Sequence, residues 1–127
     1  LLASVITDVP GSSVYFKGGQ VVYSNNAKVA AGVPADLIQD HGAVSEQVAV
    51  AMAVAARGNF AADIGIGITG VAGPRELEQK PVGLVHIALL SDEVVRQFTM
   101  RFPQRRERIK RRGVAIALIE LSRMIKE

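Results

Sequence analysis

The strand-like segment over residues 64–68 constrains the fold of this chain more than any other feature. Ile64, Ile66 and Ile68 alternate with Gly65 and Gly67, so one face carries branched apolar side chains and the other carries none. This alternation is typical of a buried β-strand, and glycine on one face lets another part of the protein pack very close. We therefore predict a buried strand with a close neighbour on its glycine face.

The clearest helix is predicted to follow Ser45. Serine is a good N-cap residue, Glu46 places a negative charge in the first turn, and Gly58 supplies a C-terminal stop. Shorter helical segments are predicted at residues 1–8, 27–31 and 34–40, and a last helix near the C-terminus. The predicted apolar stripe of the last helix consists of Val114, Leu118, Leu121 and Ile125.

Three other segments have the composition of strands. Residues 14–23 alternate loosely around two glycines, as a strand with a bulge or bend does. Residues 82–90 and 94–102 predict an antiparallel hairpin through Ser91 and Asp92. Strands interspersed with helices predict an α/β fold, a three-layer α/β/α sandwich around a mixed, mostly parallel sheet.

The composition is that of one globular domain. The chain has 127 residues, of which 49% are hydrophobic and 21% charged, which suits a single core. It has no cysteine, which excludes disulfides and thiolate zinc sites. The apolar stretches fall short of the roughly 20 residues that span a bilayer. With no signal-peptide pattern either, we expect a cytoplasmic protein and no membrane partner.

Positive charge is concentrated near the C-terminus. The formal net charge is +3, and six cations fall between residues 105 and 112. Such a run can bind phosphates or nucleic acid, but no aromatic residues are interleaved for base stacking, so a solvated helix face is the favoured interpretation. Basic residues at a helix N-terminus oppose the macrodipole, which argues for a partner or a functional reason. The six are Arg105, Arg106, Arg108, Lys110, Arg111 and Arg112.

Tyr23 and Lys28 form the first constellation that can carry chemistry. The segment between them has the composition of a helix cap, which fixes their relative positions. A lysine acts as a general base only where burial or a positive neighbour disfavours its charged form. From spacing alone, an exposed lysine and a tyrosine at the edge of the core is the favoured interpretation.

The loop at residues 69–74 follows the buried strand directly. Its glycines let backbone N–H groups approach a ligand, as oxyanion holes require, although a tight turn accounts for the same residues. Lys80, before Pro81, faces either the same cleft or water. Ser12 and Ser13 lie in a turn, where a phosphate-binding role suits them better than a nucleophilic one.

Six segments in order along nearly the whole chain carry a family resemblance. They are residues 7–13 (TDVPGSS), 23–28 (YSNNAK), 32–33 (GV), 41–46 (HGAVSE), 69–74 (TGVAGP) and 80–83 (KPVG). In these segments the sequence resembles the C-terminal domain of CinA proteins and the stand-alone nicotinamide-nucleotide amidases. The resemblance implies one CinA C-terminal-like domain over residues 1–127, lacking its N-terminal segment.

The resemblance also implies an activity. Members of this family hydrolyse the carboxamide of nicotinamide mononucleotide to nicotinic acid mononucleotide and ammonia, with no metal or organic cofactor. By motif position, Lys28 is the base that activates a serine and Tyr23 orients or relays the proton. We expect a small nucleotide substrate and a homo-oligomer, and we do not expect nucleic acid as a partner. The substrate-binding candidates are Thr69, Gly70, Ala72 and Gly73, with Ser12, Ser13 and Ser45 as secondary candidates for the phosphate.

The sequence departs from the family pattern at several places. The Glu-Ser-Cys-Thr-Gly-Gly segment with the nucleophile is not among these residues, so we expect the serine upstream of Leu1. The stretch between Lys28 and Gly32 is about one residue short, residues 75–77 replace a glycine-rich continuation, and Gln104 stands where Gly-Asp is expected. The alternative function is a non-catalytic nucleotide-binding or assembly domain of a CinA-like protein.

Overall fold

The computed structural model describes residues 1–103 and 105–126, whereas Gln104 and Glu127 lie outside the described residues. The described helices are α1 (Leu2–Thr7), α2 (Asn25–Ala31), α3 (Ala35–His41), α4 (Glu46–Asn59) and α5 (Arg106–Lys126), with a short 3-10 helix at Ser12–Val14. The strands are β1 (Gly65–Gly70), β2 (Leu84–Leu90) and β3 (Val95–Arg101).

The sheet has the strand order β1-β2-β3. The α/β class is confirmed, as is the predicted hairpin between β2 and β3. The predicted mixed, mostly parallel sheet is not found, because both strand pairs in the described residues are antiparallel, and the three-layer sandwich stays a prediction. The connection from β1 to β2, residues 71–83, contains no helix, and a parallel neighbour requires a long crossover, usually a helix.

The strand predicted over residues 14–23 is wrong. Its start belongs to the 3-10 helix, and residues 16–23 are assigned to no strand. This segment passes the end of α4, where a Cβ on Gly18 would lie 2.5 Å from the ring of Phe60. The glycine that suggested a bulge instead makes room for that aromatic ring.

The close neighbour predicted for β1 is the backbone of α4. A Cβ added to Gly65 would lie 2.1 Å from the carbonyl oxygen of Ala53, and one added to Gly67 would lie 2.1 Å from that of Ala49. α4 begins as predicted, since the Ser45 hydroxyl accepts the backbone N–H of the third helical residue at 3.2 Å. The glycines therefore fix how closely the helix and sheet approach, and so where β1 ends relative to the start of α4.

α5 packs against the other side of the sheet. Ile87 and Leu89 of β2, both fully buried, belong to its cluster, while Ala88 and Leu90 face α4. The predicted apolar stripe of α5 is correct at Val114, which is buried, and at Leu121, which packs against the cluster of Ile87 and Leu89, but wrong at Ile125, which is 66% exposed. Small or charged residues occupy part of the buried face, and hydrophobicity alone passes over them. The buried residues of α5 are Ile109, Gly113, Val114, Ala117, Glu120 and Met124.

Among the described helices, none combines the length and the apolar character needed to cross a membrane.

Candidate active site

Lys28 is a buried amine. α2 begins after Ser24, whose hydroxyl accepts a first-turn backbone N–H at 3.0 Å, and Lys28 lies on that short helix. The residue is 7% exposed, and its Nζ donates to the carbonyl oxygens of Val22 at 2.9 Å and Tyr23 at 3.3 Å. Burial lowers the pKa of Lys28, outweighing Glu78 and Tyr23, which act in the opposite direction.

An amine with two carbonyl partners suits a general base. A neutral amine has two N–H donors and one lone pair, whereas the ammonium has three donors and no lone pair. In the neutral form both hydrogens of Lys28 can be given to Val22 and Tyr23, and the lone pair remains for a proton. Because Lys28 is 7% exposed, its interpretation as an exposed lysine is wrong.

Arg106 joins the tyrosine to the glycine-containing loop. Its Nη2 donates to the Tyr23 hydroxyl oxygen at 3.2 Å, and its Nη1 donates to the Gly73 carbonyl oxygen at 2.6 Å. Tyr23 is 82% exposed, so this guanidinium is the contact that holds the phenol beside the loop. Hydrogen bonds therefore connect residues 23, 28 and 73.

The loop after β1 carries backbone donors. The Thr69 hydroxyl is buried and donates to the Ala43 carbonyl oxygen at 2.8 Å, and the Val71 N–H donates to β2 at 2.9 Å. Within residues 1–103 and 105–126, the N–H groups of Ala72 and Gly73 have no hydrogen-bond acceptor. Thr69 therefore anchors the loop, and Ala72 and Gly73 supply backbone donors that have no acceptor within the described residues.

Glu78 and Lys80 hold the segment that leads into α4. The Glu78 carboxylate accepts the backbone N–H groups of Ala43 at 2.8 Å and Val44 at 3.0 Å. Lys80 lies 3.6 Å from this carboxylate and donates to the carbonyl oxygens of His41, at 2.8 Å, and Val44. We call residues 77–80 the clamp hairpin, since Leu77 and Lys80 are bridged by backbone hydrogen bonds.

The clamp hairpin occupies backbone donors next to Ser45, where a phosphate site was predicted at the start of α4. The Ser45 hydroxyl donates to the Gly42 carbonyl oxygen at 2.8 Å and accepts the Val48 N–H at 3.2 Å. The two N–H groups that precede Ser45 are held by Glu78, an internal anion. Ser45 therefore acts as a helix cap here, and its role toward a phosphate stays a prediction.

The serines of the 3-10 helix lie apart from these contacts. Ser12 is buried and Ser13 is exposed, and their helix packs against α1. No hydrogen bond in the described residues joins either hydroxyl to Lys28, Tyr23 or Gly73. Their role as phosphate ligands stays a prediction.

Sequence reasoning missed Arg106 and Glu78 as members of the site. Arg106 was one of six cations in the basic run, and the signal that could have singled it out was its place at a helix N-terminus, against the macrodipole. For Glu78 there was no signal, because its partners lie 34 and 35 residues earlier in the chain.

We expect Glu78→Gln to lower the free energy of unfolding at neutral pH by about 1 kcal/mol, because an amide oxygen accepts N–H bonds more weakly than a carboxylate. Burial alone would raise the pKa of Glu78, but the bonds from Val44 and Ala43 and the charge of Lys80 hold it below the usual value. The Glu78 carboxylate therefore contributes its whole stabilisation above the usual glutamate pKa. This contribution is lost as the pH falls through the lowered pKa of Glu78.

Urea denaturation in buffers from neutral to acidic pH measures this effect. Glu76→Gln is the matched control, since Glu76 is exposed on the same loop. The deficit of Glu78→Gln should shrink as the pH falls, and equal stability of the two variants at neutral pH would contradict the assignment of the clamp.

Comparison with known proteins identifies related chains. The family model described as the CinA C-terminal domain matches residues 1–125. The CinA-like protein of Koribacter versatilis is 51% identical over 120 residues, which cover 93% of this chain and 29% of that protein. The CinA-like protein of Mycobacterium marinum is 48% identical over 132 residues, covering 100% of this chain and 31% of that protein. The chain thus spans under a third of the length of these relatives.

Solved structures share the fold. Competence/damage inducible protein CihA from Agrobacterium tumefaciens matches with a TM-score of 0.90 at 36% identity, over 94% of this chain and 75% of that one. Competence damage-inducible protein A from Klebsiella pneumoniae matches with a TM-score of 0.95 at 28% identity, over 99% of this chain and 80% of that one.

Proposed function

Since the chain belongs to the CinA C-terminal domain family, we propose that the protein is an amidohydrolase that converts nicotinamide mononucleotide to nicotinic acid mononucleotide and ammonia. The observation that carries this proposal is the buried amine of Lys28, whose pKa is lowered by burial and which, in its neutral form, keeps a lone pair while donating to two carbonyl oxygens. An amine in this state is the base that a serine hydroxyl needs near neutral pH.

The reaction begins with a serine that we propose lies upstream of Leu1. Lys28 takes the hydroxyl proton while the serine oxygen attacks the carboxamide carbon, giving a tetrahedral oxyanion. The C–N bond then breaks, and the Lys28 ammonium returns its proton to the departing nitrogen, which leaves as ammonia. Water attacks the resulting ester with Lys28 again as base, and the acid and the free serine are released.

Backbone donors of the loop after β1 suit the oxyanion. The N–H groups of Ala72 and Gly73 have no acceptor among the described residues, so they need not break a bond to bind a ligand oxygen. One such donor is typically worth roughly 3 to 4 kcal/mol of transition-state stabilisation. Thr69 supports this role indirectly, because its buried hydroxyl anchors the loop to Ala43.

Tyr23 and Arg106 suit the positioning of the reacting groups. The Tyr23 oxygen accepts a hydrogen bond from Arg106, which leaves the phenol hydrogen to be donated elsewhere.

The test is ammonia release from nicotinamide mononucleotide by the full-length protein, with formation of the acid product followed by chromatography. We expect one ammonia per acid formed. If the protein binds the nucleotide and never turns it over, the amidase proposal fails and the non-catalytic binding domain takes its place.

A further inference from the structure

A cavity lies at the N-terminal end of α5, next to the proposed catalytic residues. Its volume is about 360 Å³, at the lower end of the range for small-ligand sites. Arg106 belongs both to this cavity and to the contacts with Tyr23 and Gly73. Arg106 is thus shared by the cavity and the proposed site. Its lining residues are Leu1, Arg106, Glu107, Lys110 and Arg111.

The lining is strongly cationic. Arg106 and Lys110 are four residues apart on α5, so they share one face of the helix, about 6 Å apart along its axis. Glu107 is the only acid of the lining, and Arg111 binds it at 3.0 Å. The side chains of this exposed pair are 70% and 77% accessible, so Arg111 keeps donors that can reach a ligand.

These cations stand where a helix disfavours them. The N-terminus of a helix carries partial positive charge, and cations there are destabilising, as are like charges four residues apart. Six cations crowd into residues 105–112. An anion bound against this turn would offset both repulsions.

The backbone donors at the start of α4, which were expected to take a phosphate, already hold an internal anion. Glu78 accepts the N–H groups of Ala43 and Val44, and the Ser45 hydroxyl caps its own helix. With these donors engaged, the candidates for the phosphate of a nucleotide bound at Lys28 are the cations of α5 that line the cavity.

We infer that Lys110 and Arg111, together with Arg106, bind the 5′-phosphate of the mononucleotide whose carboxamide lies at Lys28. The inference rests on the proposed function for the identity of the substrate. Arg106 contacts Tyr23, and Lys110 lies about one helical turn further along α5. These residues make the site selective for a nucleotide over the corresponding nucleoside.

Binding of two ligands that differ only in the phosphate tests the inference. Dissociation constants for nicotinamide mononucleotide and for its phosphate-free riboside are measured by calorimetry on the full-length protein. We expect Lys110→Ala and Arg111→Ala each to weaken nucleotide binding about tenfold, the worth of a hydrogen bond between charged groups, and to leave riboside binding unchanged. Arg112→Ala is the matched control, because Arg112 is exposed on the same helix and outside the cavity.

The outcomes separate this inference from the amidase proposal. Nucleotide binding that depends on Lys110 without ammonia release would retain the phosphate site and overturn the amidase. Ammonia release with an unchanged KM in Lys110→Ala and Arg111→Ala would retain the amidase and overturn the phosphate site. Equal loss of riboside binding would also overturn the phosphate site. Salt-sensitive binding of a single-stranded oligonucleotide, weakened as much by Arg112→Ala as by Lys110→Ala, would also overturn the phosphate site. The surface would then bind nucleic acid.

Discussion

Lys28→Ala is expected to reduce ammonia release from nicotinamide mononucleotide by roughly 10²- to 10⁴-fold, the usual contribution of a positioned general base. Lys28 is 7% exposed and carries the amine with a lowered pKa. Its removal takes away the acceptor for the hydroxyl proton and the donor for the departing ammonia. Turnover by the full-length protein, with nucleotide affinity measured separately, gives the size of this loss.

Two further variants keep the test decisive. Lys28→Met retains an unbranched apolar side chain in place of the buried stem, so it separates loss of the amine from loss of packing. Lys17→Ala removes an exposed lysine from the segment that precedes Tyr23, and we expect wild-type turnover from it. A folded Lys28→Met protein with unimpaired turnover would exclude Lys28 as the base.

The pH dependence of turnover follows from the same amine. The working form is neutral, so turnover should rise as the pH increases through the lowered pKa of Lys28 and should fall away below it. Glu78 acts to raise that pKa, so Glu78→Gln should move the acid limb of the profile to lower pH. A profile that is flat over the acidic and neutral range would contradict a titrating lysine.

The parts of the site that could be predicted are those encoded locally. Ser24 and Lys28 belong to one capped helix, and the loop at residues 69–74 directly follows a strand that alternation reveals. Arg106 meets Tyr23 across 83 residues of chain, and Glu78 meets Ala43 across 35. No local propensity encodes such meetings, because they are set by how the helices and strands pack.

The same division applies to the fold. The start of α4 after Ser45 was predicted from its serine cap, and α2 was predicted to start two residues later than it does, although Ser24 caps it as its composition suggested. Strand direction was not predicted correctly, because the sequence of an apolar strand such as β1 is compatible with both a parallel and an antiparallel sheet. The buried face of α5 was predicted only in part from its large apolar residues. Gly113 and Ala117 are buried by close packing without being strongly hydrophobic, so hydrophobicity did not point to them.

Gly67→Ala is expected to lower the free energy of unfolding by about 3 kcal/mol, the upper end for overpacking. The new Cβ would lie 2.1 Å from the carbonyl oxygen of Ala49 and 2.8 Å from the backbone nitrogen of Ala53. These are backbone atoms of a 14-residue helix, so no side-chain rotation relieves the overlap and α4 must move away from β1. Because Thr69 of β1 donates to Ala43 in the segment that leads into α4, the movement should also reduce turnover.

Gly58→Ala is the matched control, a glycine of α4 at which an added Cβ meets nothing within 4 Å. Alanine loses less backbone entropy than glycine on entering a helix, so this variant should be more stable by about 0.5 kcal/mol. Urea denaturation of both variants decides the matter, since the same chemical change should shift the midpoint in opposite directions. If Gly67→Ala unfolded at the wild-type urea concentration, the close approach of α4 to β1 would be refuted, and with it the reason for two glycines in that strand.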